Sequence, residues 1–194
     1  YVLKVKTTGD DLNDGFTWET ALKTVSAAAA LSGVGDEAWV AAGRYTDRPD
    51  LKGIALYGGF QGNETAREQR DSATFISLLD QGADMHGVGR STIDGFTVFA
   101  NVVCDSDGLV MRNTYLRASL IGHMSAGIDV IGCRIVAGGI SAPLASWLIV
   151  QDCEITDSPA RGIETLGDVW VEIRRNRLLR CRGGGIYLHT ALHP

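Results

Sequence analysis

Asp152 and Glu154 stand two residues apart, with Arg134 twenty residues before Glu154 and Arg177 twenty-three after it. Carboxylates and guanidinium groups in that arrangement suggest two chemistries. In a lyase reading, Arg134 or Arg177 removes the proton α to a uronate carboxylate, and Asp152, Glu154 or Asp129 holds Ca²⁺. In a hydrolase reading, two carboxylates roughly 5–9.5 Å apart work as a pair, either Asp152 with Glu154 or Asp129 with Asp152. The composition weighs against both. No lysine follows Lys52, and the carboxylates do not occur in the groups of three or four that a Ca²⁺ site draws on. Ca²⁺ is thus the one cofactor considered, and the expectation is none.

Two further sets of side chains could bind rather than react. Trp147 and Trp170 occupy equivalent places in successive segments, preceded at the same phase by Gly127, Gly108 and Arg90. Stacked, exposed indoles there would form a flat platform for the apolar faces of sugar rings, whereas packing against a loop or partner chain is the plainer alternative. His86, Cys104 and His123 also share a phase, and their side chains are zinc-type ligands by chemistry. Outer members of such a column lie about 9–10 Å apart at the backbone, so surface or corner positions are expected and no metal is assigned.

These phases come from a six-residue phrase, apolar-x-x-small-x-apolar. It reads Ile93–Val98, Met111–Leu116, Val130–Ile135, Val150–Ile155 and Ile173–Leu178, with starts 18, 19, 20 and 23 residues apart. An apolar period of two, broken by turn-prone Gly, Asn or Asp at the third position in four of the five, describes strands joined by corners rather than helix pairs. Coils about 4.8 Å apart turn equal phase into columns. Positions one, four and six are expected to face a core, with a further ladder at Ile140, Ile163 and Ile186. The fifth position reads Thr97, Tyr115, Arg134, Glu154, Arg177, an expected surface salt-bridge ladder, with Asp152 beside Arg175 at the third. Cys133 and Cys153, at position four, are expected to be buried thiols, because stacked Cβ vectors run parallel instead of converging on a disulfide.

Before the phrase, Val2–Val5 alternates as a strand, and Thr17 is a candidate N-cap for a helix carrying Ala21, Leu22, Val25, Ala28 and Ala29 on one face up to Ser32–Gly33. That helix is expected to cap the exposed edge of the stack. Glu37–Gly43 and Ile54–Phe60 read as strands, and residues 61–74 as a polar loop or short helix. The 194 residues suit a single domain: 1–74 the cap and first coils, 75–194 the regular coils. Twenty-four glycines against four prolines fit many short strands with tight corners. A net charge of −5 gives no reason to expect nucleic acid, and no apolar run is long enough for membrane insertion.

The runs TGDDLNDGFTWETALKTVSAAAA (8–30), AWVAAGRY (38–45), LYGGFQGNETAREQRD (56–71) and STIDGFTV (91–98) resemble the N-terminal part of secreted bacterial proteins of the right-handed parallel β-helix, pectate-lyase-like superfamily. The resemblance spans residues 1–98 by motif order and 93–188 by repeat. It implies an all-β fold, a right-handed parallel β-helix solenoid with an N-terminal α-helical cap, and a secreted or cell-surface location rich in carbohydrate. An asparagine ladder frequent at one corner of such proteins is matched only by Asn176. The superfamily includes lyases, glycoside hydrolases, epimerases, tailspikes and adhesins, so the resemblance implies fold more than activity. The expectation is an extracellular or surface-associated module, non-catalytic, that binds polysaccharide or mediates adhesion or assembly. The alternative is a polysaccharide-active lyase or glycoside hydrolase. Gly185–Leu188 begins another coil close to the chain's end, so self-association through this C-terminal coil, or continuation into a longer solenoid, is also expected.

Overall fold

The computed structural model describes residues 1–123 and 127–189. Every strand pairing in it is parallel, and the chain winds into a β-solenoid of about 8 turns. The phrase sets the register. Ile93 pairs with Met111, Met111 with Val130, Val130 with Val150 and Val150 with Ile173. At the fifth position Thr97, Tyr115, Arg134, Glu154 and Arg177 follow one another in the same way.

The corner that divides each phrase has a backbone cause. All five third-position residues, Gly95, Asn113, Gly132, Asp152 and Arg175, have φ between 47° and 79°. This left-handed conformation suits Gly and Asn; Arg175 takes it although its type gave no such signal. The turn reverses which side of the chain faces inward, so positions one, four and six all reach the core. Ile93, Met111, Val130 and Val150 are fully buried, as are Val98, Leu116, Ile135 and Ile155.

Long strands Ala83–Asp94 and Val102–Arg112 serve two faces at once. Past Val102–Arg112 the sheet divides, one branch running through Leu120–Gly122, Ile140–Ser141, Ile163–Leu166 and Ile186–His189, the other through Ile128–Ile131, Trp147–Gln151 and Trp170–Arg174. A separate sheet running from Gly43–Tyr45 to Arg177–Leu179 forms the third face. In the expected third ladder Ile140 and Ile163 are buried, but Ile186 is 49% exposed on the last described strand. It is not a core residue here. Residues 190–194 lie outside the described residues, and with them part of the expectation about the chain's end.

The helix is shorter than the sequence suggests. It spans Val25–Leu31, and its N-cap is Thr24, whose Oγ1 accepts a hydrogen bond from Ala27 N at 3.1 Å. Thr17 instead closes a turn, accepting from Thr20 N at 3.1 Å. Ala21 and Leu22 are extended: Leu22 N donates to Lys4 O and Lys6 N donates to Leu22 O, each at 2.9 Å. Helical geometry there would leave the outer edge of Val2–Val5 without partners, and satisfying those backbone groups outweighs local helix propensity.

Asn176 shows what the position-four column does. Its Oδ1 accepts from Cys153 N at 2.8 Å and its Nδ2 donates to Val150 O at 2.7 Å. One coil earlier, Cys153 Sγ accepts from Cys133 N and donates to Val130 O, both at 3.4 Å. Cys133 Sγ donates to Met111 O at 3.4 Å. The two free, buried thiols thus continue the asparagine's pattern with weaker partners. We expect Asn176→Ala to leave two backbone groups unpaired and cost about 1–3 kcal/mol in denaturant unfolding; no measurable loss would show that water replaces both bonds.

Candidate functional site

Trp147–Gln151 and Trp170–Arg174 lie side by side, with Trp147 opposite Trp170. Outward positions on this face are set by the strand period: Trp147, Ile149 and Gln151 point away from the buried Leu148 and Val150. Ser146, Trp147, Ile149 and Trp170 line a shallow, open depression.

The two indoles do not form one stack. Trp147 leans back over Gly127, where an added Cβ would sit 2.0 Å from its Cε2. The Arg90 guanidinium also meets the indole, 5.4 Å from its centroid. Trp147 Nε1 donates to Asp129 Oδ1 at 3.0 Å, and Arg90 holds Asp129 Oδ2 at 2.7 Å. The glycines at 108 and 127 leave the room in which these side chains meet. This network makes Trp147 a half-buried anchor, whereas Trp170 stands 57% exposed. Of the two readings of the shared phase, Trp147 takes the packed one, and Trp170 is left mostly exposed.

Asp129 has both carboxylate oxygens engaged by that network. Asp152 is held as firmly: Arg175 Nε and Nη2 donate to its two oxygens at 2.6 and 2.8 Å, and Gln151 Nε2 adds a contact at 2.9 Å. The Arg175 guanidinium beside it brings its carboxyl down to about 2. A general acid at neutral pH needs the opposite shift. Glu154 lies between Arg134 at 3.4 Å and Arg177 at 3.5 Å, so the alternating column is the expected salt-bridge ladder. Arg177, paired with Glu154, is exposed and presents guanidinium N–H donors to it. The adjacent Asp157–Arg180 pair repeats the pattern, with the Asp157 carboxyl held below its usual range by Arg180.

A pH titration checks this assignment. With its folded value depressed from 3.8, Asp152 contributes stability that is complete above that value and lost as pH falls through about 2. We expect its carboxyl carbon to titrate near pH 2 by NMR and to return toward 3.8 in Arg175→Ala; an unchanged midpoint would remove Arg175 as the cause.

The chain matches no protein-family model, no curated protein and no solved structure. What it binds must be read from its own side chains.

The histidine column differs from its expected members. Met85, not His86, pairs with Cys104, and His86 pairs with Asp105. A bulge between Gly87 and Arg90 takes three steps against two on the neighbouring strand, so counting back from the phrase slips by one residue. Cys104 therefore points into the core and is fully buried, while Asp105 joins His86 and His123 on the surface. The sequence reading placed Cys104 in the column, with Asp105 only as the carboxylate beside it, for that reason; the glycines flanking Val88 were the available sign of a bulge. Among the described residues no three His, Cys, Asp or Glu side chains already stand in metal-ligand geometry.

Proposed function

We propose that this chain is a non-catalytic β-solenoid module that binds carbohydrate on the face around Trp170 and Trp147. One observation carries the reading: Trp170 is 57% exposed on a parallel sheet, beside an indole fixed by Asp129 and Arg90. A free indole on a rigid floor offers an apolar face to the C–H side of a sugar ring at little entropic cost. The arginine-bound state of Asp152, Glu154 and Asp129 supports a binding role over the alternative, a lyase or glycoside hydrolase.

The reading extends to setting and assembly. A secreted or cell-surface protein of the pectate-lyase-like kind meets glycans, and adhesion is a use for a solenoid of this type. Exposed Ile186 and Leu188 support self-association through the last described coil. The test is a panel of soluble acidic and neutral polysaccharides, followed by calorimetry and by assay of unsaturated and reducing ends. Binding without product is expected. Turnover abolished by Glu154→Gln or Arg177→Ala at unchanged melting temperature would overturn the reading in favour of the enzyme.

A further inference from the structure

We propose that this chain stacks head to tail with further copies of itself, the N-terminal cap of one copy covering the last described coil of the next. The inference rests on the self-association read from Ile186 and Leu188 and adds the face that meets them. The two ends differ in charge. Residues 7–20 carry four carboxylates and no Lys or Arg, whereas residues 173–189 carry five arginines and no Asp or Glu.

Both ends also show apolar surface. At the cap, Lys4 N donates to Gly15 O at 2.6 Å and Leu22 N to Lys4 O at 2.9 Å, so this loop is the outermost layer over Val2–Val5. Leu12 and Phe16 are exposed on it, and Phe16, Leu31 and Leu3 line a recess of about 330 Å³. At the far end, Ile173 and Leu178 are only partly covered, although Val150 and Ile155 one coil back are fully buried. Ile186 and Leu188, opposite the buried Ile163 and Thr165, are half exposed. Charge decides which faces meet. Arg174, Arg175, Arg177 and Arg180 keep 61–68% of their side chains in solvent even within their ion pairs. Two last coils placed end to end would set these arginines against one another, and like charges across an interface are costly. The Asp10 and Asp14 carboxylates accept from neutral donors, Leu12 N, Phe16 N and Thr20 Oγ1, and so keep their charge for a guanidinium partner. Lysines of the same end are already engaged: Lys4 lies over the Trp39 ring and Lys23 beside Asp11. A contact between unlike ends does not close after two copies but continues along the solenoid axis. With about 8 turns per copy and about 4.8 Å per turn, the repeat is about 4 nm.

Sedimentation velocity on the full chain tests the arrangement. At low salt, species larger than dimers should grow with concentration, and they should shrink at high salt, where the ion pairs are screened. Asp10→Lys with Leu12→Lys blocks the cap, and Leu188→Glu blocks the last coil. Circular dichroism confirms the fold of each, and Arg182→Glu replaces Leu188→Glu if that change frays its strand. Each variant alone should be monomeric, and an equimolar mixture should form a one-to-one dimer, because each keeps one intact face. A cap variant that still dimerises by itself would overturn head-to-tail stacking and leave self-association through the last coil standing. A parent chain that stays monomeric at its highest soluble concentration would overturn both.

Discussion

Val150→Asp is expected to leave no cooperatively folded chain at room temperature, with far-UV dichroism and thermal melting as the measurements. Val150 is fully buried and pairs with Val130 on one side and Ile173 on the other. A carboxylate there meets aliphatic neighbours across both coils, Val130 and Ile173. Burying an unpaired charge costs several kcal/mol, against a total stability of about 5–15 kcal/mol for a domain. The damage spreads because each coil supplies the floor of the next. Val150→Ala, which removes about two methylene equivalents without a charge, should cost only about 1–3 kcal/mol and melt cooperatively. A folded, cooperative Val150→Asp would mean that the column at position one does not form the core.

The second large effect concerns binding. Trp170→Ala should weaken glycan affinity at least about tenfold while leaving the melting temperature nearly unchanged, since the indole is mostly in solvent. Trp147→Ala should behave differently. It removes the indole that covers Gly127, together with its contacts to Asp129 and Arg90, so both stability and affinity should fall. Tryptophan fluorescence separates the two: ligand should perturb the wild-type signal and the Trp147→Ala signal, and leave Trp170→Ala almost silent. Equal affinity in the parent chain and Trp170→Ala would remove this face as the ligand site.

The recurring phrase made the parallel solenoid, its register and its buried columns legible before any coordinates. Val130, Val150 and Ile155 stand where their spacing places them, and so does the Arg134–Glu154–Arg177 ladder. Stacking at fixed separation is a one-dimensional rule, and one-dimensional information suffices to state it. The misses fall where that rule is interrupted. Ala21 and Leu22 have helical spacing but extended backbone, because the edge of the first strand claims their amide and carbonyl groups. The bulge at Gly87–Arg90 shifts the count and exchanges Cys104 for Asp105.

Sequence alone therefore determined the coil, its core positions and the pool of side chains that reach the surface. It could not decide what those surface side chains do. Asp129 might equally have been an acid, a Ca²⁺ ligand or a brace, and only the approach of Arg90 and Trp147 across two glycines makes it a brace. Backbone phase fixes where a Cβ starts; the tip of a long side chain is placed by partners several coils away. Trp147 and Trp170 share a phase and still end in different environments, because one has such partners beneath it and the other has solvent.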